Sequence, residues 1–289
     1  MSHPVKAPSG DQASRLRELV RKQTRSALVL AIISGKGGVG KTNVAVNLSI
    51  CLSSHSMKVT LVDVDLGLAN ADLLMDLHSQ YTLAHVLTGH KTIEEITTPG
   101  PAGIRFIAGA SGIPESANLS DFERENLIYQ LHKLETSTDI VVLDCGAGIS
   151  KNVLGFAQHA DQVLVVTTPQ PTALTDAYAA IKSLHRLNCP GQVGLIVNMT
   201  TSRAEAEATY RRLAQVSRKF LNFSVADFGF LLQDTVVEAA VRQRCPFVVG
   251  YPQSNAAACI ASIAGRFIQL RSGAESRGGF FRRVGGLFI

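Results

Sequence analysis

Six side chains have the types and spacing to work on a polyphosphate: Lys36, Lys41, Thr42, Asp63, Asp65 and Asp144. The first three belong to the stretch Gly35-Lys36-Gly37-Gly38-Val39-Gly40-Lys41-Thr42, with Asn43 next. Glycines leave room for backbone to wrap an anion, because no Cβ blocks the approach and positive φ is open to them. Consecutive N–H groups then face inward, and a helix starting at Lys41 adds partial positive charge. Lys41 is placed to reach β- and γ-phosphates, and the Thr42 hydroxyl to reach Mg2+. Gly35, Gly37 and Gly40 also fit the G-x-G-x-x-G dinucleotide fingerprint, but that reading leaves Lys41 and Thr42 idle.

The elements that must position these groups follow from the flanking pattern. Leu28 to Ile33 is an apolar run of strand length, and Val44, Leu48 and Leu52 recur at helical spacing. The glycines therefore sit on a strand-to-helix turn. Lys58 to Asp65 reads as a second buried strand, with Asp63 and Asp65 at i, i+2 near its carboxyl end, where α/β sheets bind ligands. Asp139 to Asp144 reads as a central strand ending in an acid, the Walker B pattern, followed by a flexible Cys145-Gly146-Ala147-Gly148 turn. Further strands are expected over 104–108, 162–168, 193–198 and 223–232, and helices over 120–135, 202–221 and 254–270. Strands and helices alternate through the body, so the expected fold is α/β: a mostly parallel central sheet with helices on both faces.

Composition bounds the rest. The chain has 289 residues, 46% of them hydrophobic and 18% charged, which suits one large globular body. No apolar run reaches 18 residues, and the start has no apolar signal region. Five scattered cysteines, with no C-x-x-C pair, suggest a reduced cytoplasmic protein without a disulfide framework or structural zinc. The net charge of +5 is uneven: residues 1–26 carry +4 and residues 271–289 carry +3, leaving −2 for the body. A basic surface for direct nucleic-acid binding is therefore not expected, and two basic end segments flank a near-neutral enzyme. Residues 1–26 read as an arm with a short helix from Asp11, 27–272 as the main domain, and 273–289 as a tail. On a tail helix Phe280, Phe281, Val284, Leu287 and Phe288 share one side, and Arg282 and Arg283 the other. That is the pattern of a small membrane anchor, each arginine adding about 1 kcal/mol at an anionic surface.

Lys36 is superfluous to an ordinary phosphate loop. The pattern Lys36-Gly37-Gly38-Val39-Gly40-Lys41-Thr42 resembles the deviant Walker A motif of the MinD/ParA ATPases. The resemblance implies an ATPase using ATP and Mg2+ that forms a homodimer with ATP, in which Lys36 crosses the interface to the partner's nucleotide. It implies that Asp65 orients the attacking water, that Asp63 and Asp144 hold the magnesium shell, and that Asn198 contacts adenine. Residues 229–234 depart from the family pattern, lacking a proline near Leu232. Asp11, Gln12, Ala13, Leu16 and Arg17 resemble the N-terminal activation motif of the flagellar-number branch, FlhG, FleN and YlxH, and the stretches 169–180 and 236–247 also look like that branch. That branch implies an FlhF-type GTPase partner, flagellar switch or C-ring proteins or a flagellar transcription regulator as further partners, and reversible residence on the inner face of the cytoplasmic membrane. The alternatives are a MinD-type division-site regulator and a nucleotide-sensing adaptor with negligible turnover.

Overall fold

The computed structural model describes residues 26–65, 70–109, 129–130, 132–271 and 280. Eight strands form one sheet: β1 Leu28–Ser34, β2 Val59–Asp63, β3 Thr97–Pro99, β4 Arg105–Ile107, β5 Ile140–Ala147, β6 Gln162–Thr167, β7 Gln192–Thr200 and β8 Ala226–Leu232. Their spatial order is β3-β4-β2-β5-β1-β6-β7-β8, and every pairing is parallel except β3 with β4. The labelled helices are α1 Lys41–Ser54, α2 Ala71–Leu74, α3 Leu83–Leu87, α4 Lys151–His159, α5 Pro171–Arg186, α6 Arg203–Leu221, α7 Thr235–Arg242, α8 Phe247–Gly250 and α9 Asn255–Arg271.

Strand alternation builds two cores, one on each face. In β1, Val29, Ala31 and Ile33 enter one apolar cluster, and Leu28, Leu30 and Ile32 enter the other. The first cluster takes in buried residues of α4, α5 and α6; the second takes in α1, α7 and α9. A strand covered on both faces must be apolar throughout, and all seven residues of β1 are buried.

The register places the chemistry. β1 lies between β5 and β6, so the loop leaving Ser34 emerges at the middle of the sheet. Asp144 pairs with Ile32 of β1 and with Asp63 of β2, so the two acids lie side by side on adjacent strands.

Several element bounds differ from the sequence reading. β5 continues through Cys145 and Gly146 to Ala147, because the turn pairs onward with β1. The stretch 169–180, read only for its resemblance, opens the helix α5, Pro171–Arg186. Thr97–Pro99 forms a short edge strand that the sequence reading did not include; proline is tolerated on an edge. Residues 132–137 are helical, whereas the proposed start of that helix at Ser120 lies outside the described residues.

Candidate functional site: a phosphate loop over paired acids

Local physics explains the loop. Gly38 and Gly40 have φ of +79° and +83°, the left-handed region that a side chain disfavours. A Cβ on Gly40 would also overlap the Asn198 amide, and one on Gly35 the main-chain carbonyl of Asp176 in α5. The loop thus packs between α5 and the end of β7. Gly40 caps α1 without any side-chain hydrogen bond, and no acid lies in the first turn, so the N-terminal N–H groups remain directed at the loop.

Lys41 is only 8% exposed, and its Nζ lies 2.7 Å from Oδ1 of Asp144, itself 1% exposed. The lysine also stands 3.5 Å from Thr42 Oγ1. Burial pushes the Asp144 carboxyl above its ordinary range, and the Lys41 ammonium and Thr42 hydroxyl pull it back. The structure thus gathers the three groups that the sequence assigned to phosphate and magnesium.

Asp63 behaves differently. Its Oδ1 accepts from Asp65 N–H at 3.0 Å, and its Oδ2 from Asn70 and Ala71 N–H at 3.2 and 3.3 Å. Both oxygens accept from main-chain N–H groups, at Asp65 and at the start of α2, so the metal-shell role expected of Asp63 competes with backbone anchoring. Burial, then the neighbouring Asp144, raises its pKa to about 7. β2 ends at Asp63, and Asp65 lies two residues further on, past the strand end. The Asp65 carboxylate lies against Gly146, where an added Cβ would stand 3.2 Å from Oδ1. That places it beside the turn after Asp144.

Asn198 is 8% exposed and braces the loop: its Nδ2 donates to Val39 carbonyl at 2.8 Å, and its Oδ1 accepts from Met199 N–H at 2.8 Å. One amide hydrogen and one lone pair remain for a base. Asn43 is half-buried, and its carbonyl accepts from Asn47 Nδ2 at 2.8 Å. Gly37 and Gly38 are exposed, and Lys36 extends beside them to donate from Nζ to Thr172 Oγ1 of α5 at 2.9 Å. Cys145, buried behind the site, has its thiol pushed far above the ordinary range by burial, so it is inert there.

Sequence reasoning missed Thr172. Thr172 lies inside a stretch read only for its resemblance to the flagellar branch, and no local signal marks a contact spanning 136 residues. The Asp63 cap had a signal, since an acid a few residues ahead of a helix is a capping candidate.

A family model described as ParA, NUBPL iron-transfer P-loop NTPase, matches residues 25–268. The chain belongs to the ParA/MinD family of P-loop NTPases. Within it, the chain is 36% identical to the antiactivator FleN of Pseudomonas aeruginosa over 236 residues, covering 82% of this chain and 84% of that one. It is 32% identical to the flagellum site-determining protein YlxH of Helicobacter pylori over 289 residues, covering 95% and 98%. The solved septum site-determining MinD of Pyrococcus horikoshii, complexed with Mg-ADP, shares the fold at a TM-score of 0.69 and 24% identity, over 85% of this chain and 97% of that one.

The residues fit the nucleotide and metal of this ParA/MinD family, ATP and Mg2+. A glycine cradle that a Cβ would fill, a buried lysine, a hydroxyl and a buried carboxylate are the donor set for a magnesium-bound triphosphate.

The arm residues Asp11, Gln12, Ala13, Leu16 and Arg17 lie outside the described residues, as do Phe281, Arg282, Arg283, Val284, Leu287 and Phe288 of the tail. Phe280 is described and corrects the expectation for it. It is 1% exposed and belongs to the apolar cluster on the α4–α6 face, where protein side chains meet its need for burial. Among the described residues, no helix is long and apolar enough to cross a membrane.

Proposed function

We propose that the protein is an ATP-hydrolysing regulator of flagellar number or placement that dimerises with ATP and cycles on the membrane. The observation that carries this reading is its similarity to YlxH across 95% of the chain, joined to the similarity to FleN. For iron transfer, which the family description names, no donor set gathers among the described residues. The five cysteines form no C-x-x-C pair, and no cluster of three or more His, Cys, Asp or Glu gathers among the described residues.

The residues take these roles in the proposal. Bound Mg-ATP supplies the γ-phosphoryl group, its charge spread over oxygens that the metal and lysines neutralise. Lys41 leaves Asp144 to reach the phosphates, and Asp144 then faces the magnesium shell with Thr42. Asp65, beside the turn at Gly146, orients the attacking water, a contribution of roughly 10²–10⁴-fold. Asp63 holds the Asp65 loop in place and stands behind the metal shell. Lys36 acts on the partner's nucleotide in a homodimer. Asn198 couples the base to the loop by holding Val39. Slow basal turnover, stimulated by dimerisation, lipid or partner, follows from a site completed only in trans.

In the same proposal, the arm at Asp11–Arg17 docks an FlhF-type GTPase. The tail engages anionic lipid through Phe281, Arg282, Arg283, Val284, Leu287 and Phe288. Buried Phe280 must leave its slot if it is to join them. Switch or C-ring proteins and a flagellar transcription regulator are the further partners.

Deletion of the gene tests the reading: flagella per cell are counted by electron microscopy, with septum position scored in the same images. Extra or misplaced flagella with normal septa are expected. Minicells with normal flagella would instead assign the protein to division-site placement. For the biochemical part, Asp65→Ala should dimerise with ATP and not with ADP; light scattering from a monomer in both states would contradict it.

A further inference from the structure

Met199 stands beside the phosphate loop in a strained backbone. Its φ is +56°, in the left-handed region that a side chain disfavours. The sheet forces it there. Val197 of β7 pairs with Phe230 of β8, and the next pair is Thr200 with Leu232, so β7 takes three residues where β8 takes two. The extra residue makes a bulge, rare between parallel strands and frequent beside active sites, where it re-aims a side chain. The far side of the bulge is pinned. Thr200 Oγ1 donates to the Leu231 carbonyl at 3.1 Å, and Gln233 N–H donates to the Thr200 carbonyl at 2.8 Å. Within the bulge, Met199 N–H donates to Asn198 Oδ1 at 2.8 Å. The surroundings thus hold the strain, as they do at functional positions.

The bulge turns two side chains toward the loop. Asn198 Nδ2 reaches the Val39 carbonyl at 2.8 Å. Met199 follows: a Cβ on Gly40 would stand 3.6 Å from its Cε, yet the residue is 42% exposed. A thioether so exposed gains little from burial in its own protein. It offers an unbranched, polarizable apolar surface next to the amide hydrogen and lone pair that Asn198 keeps for a base. A nucleobase needs both, partners at its edge and an apolar surface at its face.

We propose that Met199 is a base-binding residue: its thioether forms an apolar wall against one face of the purine, beside the edge that Asn198 reads. The proposal rests on the reading that Asn198 contacts the base. A thioether against an aromatic ring contributes roughly two- to tenfold in affinity.

The test is titration calorimetry on the full chain, with Mg-ADP and with Mg-tripolyphosphate as the probe that lacks a base. Met199→Ala should bind Mg-ADP roughly two- to tenfold more weakly and tripolyphosphate as the parent does, with melting temperature unchanged. Met199→Leu should keep most of the affinity, because it restores the apolar volume. Met199→Gly should weaken Mg-ADP as alanine does without lowering the melting temperature, because glycine takes left-handed backbone freely. A packing role would show the reverse, a lower melting temperature with Mg-ADP affinity intact, and would overturn the proposal. With methyl-labelled methionine, the Met199 resonance is identified by its absence in Met199→Leu. It should move upfield with Mg-ADP, in the ring current of the base, and not with tripolyphosphate; a resonance that Mg-ADP leaves in place contradicts the wall. Asn198→Ala separates the two ideas. If it weakens Mg-ADP but not tripolyphosphate while Met199→Ala binds like the parent, the wall is wrong and the base reading stands. If both variants bind Mg-ADP as the parent does, both fail.

Discussion

The floor of the site and its lip are built on opposite principles. On the floor, Lys41 and Asp144 are 8% and 1% exposed and 2.7 Å apart, with Asp63 at 1% exposure on the adjacent strand. On the lip, Gly37 and Gly38 are exposed and, among the described residues, the Lys36 ammonium has one neutral partner, Thr172. The floor's charges are neutralised within one protomer, where low dielectric makes each contact strong and each loss costly. The lip is left unfinished, which suits a surface completed by something that arrives. Stability should therefore be sensitive on the floor and indifferent on the lip, whereas turnover should respond to both.

Lys41→Ala gives the largest expected effect. It strands Asp144 in the interior, and breaking a buried pair costs about 3–5 kcal/mol. Calorimetry should show a clear drop in Tm, and titration calorimetry the loss of Mg-ATP binding. An unchanged Tm would mean that the floor is no more demanding than the lip.

Asp65→Ala stands at the boundary between the two. Turnover, read as phosphate release with lipid and partner present, should fall roughly 10²–10⁴-fold while ATP still binds. A loss of binding instead would place Asp65 on the floor, beside Lys41.

Asp63 sharpens the comparison through pH. Its pKa in the folded protein is raised to about 7 from an ordinary 3.8. Between those values the folded state holds a proton that the unfolded state has released, so its contribution to stability falls as pH rises and levels off above about 7. The nucleotide-free protein should lose several degrees of Tm across that window, and Asp63→Asn should flatten this part of the slope. A variant as steep as the parent would contradict the assignment.

The smallest effect is expected at the tail. Removing residues 278–289 should abolish ATP-dependent co-sedimentation with anionic liposomes while leaving nucleotide binding intact. Unchanged co-sedimentation would remove the membrane role.

What the sequence revealed follows the same division. The loop, Thr42 and Asp144 were legible because contiguous residues and one strand end carry their chemistry. The parallel sheet was legible because buried strands must be apolar along their whole length. Other features come from close approaches between distant segments: Asn198 bracing Val39, and Thr172 under Lys36. No local spacing encodes them. β3 was missed because three residues ending in proline show no periodicity. The amphipathic tail pattern gave a face for Phe280 without saying whether lipid or protein would cover it, and in the structure it is protein.

The central claim is that Lys36 completes the partner's site. It is tested most directly by mixing two inactive variants, Lys36→Ala and Asp65→Ala, and measuring ATP turnover. In a mixed dimer, the Lys36→Ala protomer keeps its own Asp65 and receives Lys36 from its partner. The account predicts that turnover returns to about a quarter of the parent's, since random pairing makes one site in four complete. A mixture as inactive as its components would contradict it.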